Sequence, residues 1–298
     1  MTYEQTLHRL ALANENIVVL TAENRAAIRG LPGLLGDRFA DFGIAEQTMV
    51  GAAAGMAVRG RIPVVHALAT FLTMRAFEFI RTDVGIPGLP VKLVGGVPGF
   101  LSEANGPTHQ AIEDIALMRA IPGMRIFCPS DQDELVLGLP AILEDSSPWY
   151  IRFNGMPAAI QHDADFAIGK GEVLFDGGDI TILVSGYLLR EAIIAREMLE
   201  RLGKSVRLVN LCTLNPIDET AILAAAMDTG VLVTVEDHFR VGGLFSIVAE
   251  ILVRYHVRSQ VIPIALNQRW FVPALLRDVL RHEGFTGGQI AERILEEL

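Results

Sequence analysis

The sequence is short of cysteine, of positive charge and of long apolar runs, and each shortage removes a class of function. There are 2 cysteines in 298 residues, Cys128 (in RIFCPSD) and Cys212 (in VNLCTLN), both in apolar surroundings. That is too few for a disulfide framework, so they read as small buried hydrophobes in a reducing compartment. Lysine and arginine number 25 against 35 acidic residues, a formal net charge of −10. A nucleic-acid binder would normally carry a basic face, so nucleic acid is excluded as a partner. An anionic cofactor would need local compensation from helix N-termini, a metal or a partner. No apolar run reaches membrane-span length, which gives no membrane association. The start, Met1-Thr-Tyr-Glu-Gln5, lacks a basic segment and an apolar core, and a cytoplasmic location is expected. No Gly-x-Gly-x-x-Gly follows any candidate strand, so a plain dinucleotide-binding domain is rejected.

What is present is a globular composition, 51% hydrophobic and 20% charged, long enough for about two domains. Short apolar runs alternate with amphipathic ones. The strand candidates are Asn16–Leu20, Arg38–Phe42, Ile62–His66, Pro90–Val94, Arg125–Cys128 and Tyr150–Arg152. Between them lie helix candidates at Tyr3–Ala13, Glu46–Arg59, Phe71–Val84, Ala111–Ala120 and Asp131–Glu144, the last with Ser130 as its N-cap. Gly95–Pro107 is rich in Gly and Pro and reads as a loop. A second alternating run starts at Asp179 and ends in one or two helices over Arg277–Leu298. The fold class is therefore α/β, with two domains, each a mostly parallel sheet flanked by helices. The boundaries are a first domain over 1–157, a connecting region over 158–178 and a second domain over 179–298.

Two segments carry candidate chemistry. In Phe42-Gly-Ile-Ala-Glu46-Gln47 a carboxylate stands between an apolar strand and an apolar helix. Gly51 and Gly55, four apart, strip one face of that helix of side-chain bulk, so something can pack closely against it. Spacing alone leaves Glu46 open between a functional acid and a partly exposed residue at a helix start. In Asn105-Gly-Pro-Thr-His109-Gln110 a histidine sits in a loop before a helix, where open α/β folds place ligand-binding groups. A loop histidine capping backbone is the other reading. His66 could line the same pocket. His8, His162, His256 and His282 show no metal-ligand spacing, and no metal site is expected within the chain.

Taken in order, these motifs resemble the transketolase family. The first run is Asp-Arg-Phe, then Gly-Ile-Ala-Glu-Gln, then Ala-Ala-Gly-Met-Ala. Thr70-Phe71-Leu72 follows, then Gly-Pro-Thr-His-Gln-Ala-Ile-Glu-Asp, Arg119-Ala-Ile-Pro-Gly-Met and Cys-Pro-Ser-Asp. Together they resemble the pyrimidine-binding domain. Leu211–Asp218 and Val235-Glu-Asp-His238 with Gly242-Gly243-Leu resemble the transketolase C-terminal domain. The resemblance implies thiamine diphosphate as cofactor. Glu46 matches the glutamate that hydrogen-bonds the aminopyrimidine ring and so serves the proton relay. Phe71 and Phe77 match aromatic walls of that ring. Met74 stands where another aromatic is common, and Glu23 where an aspartate is common. His109 matches a histidine that faces the substrate's reacting oxygens.

The resemblance also implies what lies elsewhere. Full-length relatives carry a diphosphate-binding half that opens on Gly-Asp-Gly and, with a downstream Asn, holds the divalent metal. The nearest string here is Asp176-Gly-Gly-Asp179, in the connecting region. A separate N-terminal-half subunit is therefore expected to supply that half and most of the Mg²⁺ (or Ca²⁺) ligands. The natural assembly is α2β2 with β–β contact, this chain being β and active only with its partner.

Several positions bear on the small-molecule substrate. Asn105 replaces the aspartate that contacts a donor hydroxyl in sugar-phosphate transketolases, and Val97 falls where those enzymes have a histidine. Arg152 matches an arginine that reaches the phosphate, and a guanidinium suits phosphate or carboxylate. The expected reaction is transfer of a two-carbon ketol or acyl unit from a ketose or 2-oxo acid donor to an aldehyde-type acceptor. The donor is expected to differ from ordinary pentose and hexose phosphates. Two alternatives are the β subunit of a 2-oxo acid dehydrogenase decarboxylase and a non-catalytic regulatory subunit.

Overall fold

A computed structural model describes residues 1–298. The chain divides into two compact units, Met1–Pro98 with Leu117–Ile168, and Gly99–Ala116 with Gly169–Leu298. The division thus falls at Ile168/Gly169, and the segment 99–116, which interrupts the first unit in sequence, belongs to the second.

The first unit is built on six strands, β1 (Ile17–Thr21), β2 (Phe39–Asp41), β3 (Ile62–Leu68), β4 (Lys92–Gly96), β5 (Arg125–Phe127) and β6 (Trp149–Arg152). They lie in the order β5-β6-β4-β3-β1-β2, and every neighbouring pair is parallel. All five residues of β1 and of β4 are buried. Continuous apolar strands of this kind need cover on both faces, which is why helices separate them in sequence. The helix Tyr3–Ala13 opens on a capping box in which Thr2 and Gln5 satisfy each other's end of the chain. The helix Gln132–Glu144 opens on Asp131, not Ser130: the Asp131 carboxylate accepts from the N–H of Asp133 and Glu134, each at 3.0 Å. The Ser130 hydroxyl is instead committed to Glu134, at 2.8 Å.

The run read as a helix over Phe71–Val84 is a helix of another kind. Phe71–Arg75 and Ile80–Gly85 are π-helical, flanking one α turn at Phe77–Phe79. The bonds from Ala76 N–H to Phe71 O (3.3 Å) and from Ile86 N–H to Arg81 O (2.9 Å) span five residues. Wide turns of this sort cluster at functional sites.

The second unit holds β7 (Glu172–Phe175), β8 (Ile180–Val184), β9 (Val206–Asn210), a three-residue extended piece β10 (Thr213–Asn215), β11 (Val231–Phe239) and β12 (Gln260–Leu266). Its sheet runs β12-β11-β8-β9-β7, parallel except for β7, which pairs antiparallel with β9. The region read as a bare connection therefore contains a strand. β7 is four residues long and lies on the sheet edge with no residue fully buried, so it carries no hydrophobic alternation to betray it. Two helices, Leu276–Glu283 and Gly287–Glu297, close the chain.

Candidate active site

Glu46 opens the helix Glu46–Val58 and is 2% exposed. A carboxylate so placed needs compensation. The helix N-terminus supplies part, and Arg75 supplies the rest, its Nη1 donating to Glu46 Oε2 at 2.8 Å. Oε1 accepts no hydrogen bond. Arg75 lies in the π-helical turn with its guanidinium 4.2 Å from the centroid of the Phe71 ring. One cation thus joins the buried acid to the aromatic face. The rest of the helix carries little bulk on its open side: a Cβ at Gly55 would meet nothing in this chain, and one at Gly51 only Asp83 Oδ2 at 3.8 Å.

Met74 and Phe77, like Phe71, are half-buried on this segment, and Thr70 Oγ1 donates to Met74 Sδ at 3.6 Å. The structure therefore brings Glu46 and Phe71 together on Arg75, a residue the sequence reading did not single out, with Met74 next to it in the chain. An acidic residue with one oxygen uncommitted, beside a half-exposed aromatic ring, fits an aromatic heterocycle that offers an N–H.

No hydrogen bond joins Glu23 to that group. It is exposed and adopts φ 62°, and its side chain makes no hydrogen bond. Its backbone N–H donates to Asp41 Oδ1 at 3.1 Å. Asp41, which the sequence reading passed over, also accepts from Gly43 N–H at 2.9 Å and Arg25 Nε at 2.7 Å. Burial pushes the Asp41 carboxyl up, but the bonds from Gly43, Arg25 and Glu23 outweigh it and hold the group below the usual carboxylate range. Asp41 thereby ties the turn after β1 to the turn after β2.

His66 is in the second half of β3 and is 3% exposed. Its Nε2 meets the Tyr3 hydroxyl at 2.8 Å and its Nδ1 meets Leu20 O at 3.3 Å. A carbonyl only accepts, so Nδ1 carries the proton and Nε2 accepts from Tyr3. Burial depresses the imidazole to about 4, against weaker upward pulls from the Leu20 and Val64 backbone, so it is neutral at pH 7. His66 also lines a small cavity of about 70 Å³ with Asn24, Ala27, Gly96, Val97 and Phe153. Val97 adopts φ 48°, a costly conformation for a β-branched residue.

Arg152 ends β6, is 3% exposed, and donates from Nη1 to Cys128 Sγ at 3.6 Å. Both residues stand at the C-terminal ends of neighbouring parallel strands, the side of such sheets where ligands bind. Neither cysteine forms a disulfide, and both are buried.

In the second unit, Asn105 is exposed and His109 half-buried on the segment 99–116. The His109 N–H donates to Gly106 O at 2.9 Å, and its Nδ1 meets Thr108 Oγ1 at 2.9 Å. Asp176 of the Asp-Gly-Gly-Asp string is ion-paired with Arg207 at 2.9 Å. That hydrogen bond, with one from Gly177 N–H, lowers its carboxyl from the usual range, as suits a surface turn.

Similarity to known proteins agrees with the resemblance. Residues 1–156 match the family described as "Transketolase, pyrimidine binding domain", and 169–290 match "Transketolase, C-terminal domain". The chain belongs to the transketolase family. It is 40% identical over 84% of its length to 79% of the 6-deoxy-6-sulfo-D-fructose transketolase subunit SqwH of Clostridium sp. (strain MSTE9). To a putative transketolase C-terminal section of Methanocaldococcus jannaschii it is 36% identical, covering 99% of this chain and 95% of that protein. Among solved structures, a split gene transketolase described as an inactive β4 tetramer superposes with a TM-score of 0.88 at 34% identity, covering 99% of this chain and 95% of its own. The chain is thus a transketolase-like β subunit of the split type, and membership of the family implies thiamine diphosphate. None of its helices is long and apolar enough to cross a membrane.

Proposed function

We propose that this chain is the pyrimidine-binding β subunit of a two-subunit transketolase, transferring a two-carbon ketol unit from a ketose donor to an aldehyde acceptor. The observation that carries this reading is the buried Glu46 carboxylate, with Oε2 on Arg75 and Oε1 uncommitted. When bound, thiamine diphosphate supplies the acidic ring carbon that adds to a carbonyl. The chain's own groups do the rest. Glu46 accepts a hydrogen bond from a pyrimidine nitrogen and so governs where that ring's proton resides. Phe71 and Phe77 wall the ring, with Met74 beside them on the same segment. Glu23 stands near the cofactor in a minor role. His109 donates a hydrogen bond to the donor's reacting oxygen or moves its proton. Asn105 offers an amide to a donor hydroxyl, and Arg152 a guanidinium to an anionic end group, with His66 lining the approach.

The partner is an N-terminal-half subunit that holds the diphosphate and most of the Mg²⁺ ligands, in an α2β2 assembly with β–β contact. The inactivity of the related β4 tetramer supports this dependence. Buried thiols that form no disulfide support the cytoplasm as location. We assign the donor to ketoses outside the common pentose and hexose phosphates, on the strength of Asn105 and Val97. Relatives named for 6-deoxy-6-sulfo-D-fructose and apulose 4-phosphate support that choice.

The test is a calorimetric titration of thiamine diphosphate with Mg²⁺ into this chain, into its genomic neighbour, and into the mixed pair. Tight binding by the pair alone, with turnover lost in Glu46→Ala, is expected. Turnover by this chain without a partner contradicts the reading. Efficient use of xylulose 5-phosphate contradicts the donor assignment.

A further inference from the structure

The second unit contributes two groups to the reading above, Asn105 and His109, and the way it holds the segment that carries them is unexplained by packing alone. The segment 99–116 is closed at its base by Gly99 N–H donating to Ala111 O at 2.8 Å. Four bonds then fasten it to the unit's own frame. Phe100 N–H donates to Asp237 Oδ2 at 3.3 Å, and Phe239 N–H to Ile112 O at 2.9 Å. Ala116 N–H meets His238 Nε2 at 3.3 Å, and Gln110 Nε2 donates to Phe271 O at 2.9 Å. Phe100 packs edge-to-face on Phe271 and Phe285, with centroids 5.3 and 4.8 Å away. A side chain on Gly99, which adopts φ 54°, would collide with the Asp237 carboxylate.

Two details go beyond a loop resting on a surface. An amide N–H only donates, so His238 Nε2 is an acceptor and Nδ1 carries the proton, donating to Phe239 O at 2.7 Å. One histidine is thus locked in one tautomer by bonds to both the segment and β11. Gln110, the residue after His109, is 1% exposed, and its Oε1 is buried without a hydrogen-bond partner. A buried acceptor left unsatisfied calls for a reason other than stability. Here the amide is turned so that its N–H reaches Phe271, and the backbone at 109–110 is fixed as a result.

We propose that the second unit is the positioning frame for His109, and that Gln110, Asp237 and His238 are positioning residues acting through the backbone of 99–116. This rests on the reading of His109 as a substrate-facing group. Displacement of a catalytic group by about 1 Å can cost on the order of a hundredfold in rate while leaving the ground-state contacts in place.

The test uses the full chain reconstituted with its partner subunit, thiamine diphosphate and Mg²⁺. Hydroxypyruvate serves as ketol donor and glycolaldehyde as acceptor. Gln110→Met keeps the volume and removes the donor. It is expected to raise amide hydrogen exchange over 99–116 about tenfold and lower kcat ten- to a hundredfold. KM for hydroxypyruvate and affinity for the cofactor should stay within about twofold. Asp237→Asn, which keeps an acceptor for Phe100 N–H, should retain most of the turnover that Asp237→Ala loses. Faster exchange over 99–116 with kcat unchanged overturns the proposal, as does a loss of kcat matched by an equal loss of cofactor affinity. His109→Ala separates the two layers. If it abolishes turnover while Gln110→Met does not, only the positioning role fails. If it leaves turnover intact, the role assigned to His109 fails, and the frame with it.

Discussion

Glu46 and His109 are secured in opposite ways. Glu46 is almost wholly buried on the first turn of a regular helix, and its side chain is pinned directly by Arg75. His109 is half-buried on an irregular segment whose backbone is fastened along its length. On the proposed roles, the contrast follows from what each would meet. An acid that serves one rigid ring gains from a dry, fixed seat, because the hydrogen bond is stronger in low dielectric and costs no reordering. A group that meets a flexible substrate must stay reachable, so its precision has to come from the loop beneath it.

The largest expected effect breaks the first half of that comparison. Glu46→Ala in the reconstituted enzyme should lower kcat by about 10²–10⁴, the usual range for a positioned proton-transfer group. A loss below tenfold would place the proton relay elsewhere. The second half is broken through the loop's base. Gly99→Ala forces a Cβ into Asp237 and an unfavourable φ, at a cost of about 2–4 kcal/mol in denaturant unfolding. A neutral result would mean that the segment is not clamped there.

A milder change sharpens the picture of Glu46. Arg75→Ala leaves the acid buried without its cation. Because the Arg75 side chain is 38% exposed, the cost should be only about 1 kcal/mol, not that of a fully buried pair. The effect that appears only in acid concerns His66, whose folded-state imidazole is depressed from 6.5 to about 4. The unfolded chain then binds the extra proton first, so stability falls as pH drops from 6.5 through about 4. His66→Gln should flatten that limb relative to wild type in melting scans at pH 7, 5.5 and 4.5. Parallel curves would show that His66 is not the group responsible.

The sequence announced those features that are local. The helix Tyr3–Ala13 is legible to the residue because Thr2 and Gln5 form its capping box in sequence. The alternation of buried strands with helices made two parallel sheets readable, and the strings around Glu46 and His109 made the family readable. What stayed hidden depends on long-range geometry. Arg75 looks like an ordinary helical cation until the π-helical turn aims it at an acid 29 positions earlier. β7 has no alternation, and its existence depends on the β9 edge it joins. Asp131 takes the cap while Ser130, its neighbour in sequence, is engaged by Glu134. Nothing local tells that 99–116 is fastened to β11, since its bond partners lie more than a hundred residues downstream.

The most direct measurement is a crystal structure of the reconstituted pair with thiamine diphosphate bound. The account predicts a Glu46 carboxylate oxygen within about 3 Å of a pyrimidine nitrogen, with Phe71 against the ring face. A cofactor ring seated elsewhere, with Glu46 still committed to Arg75 alone, would contradict it.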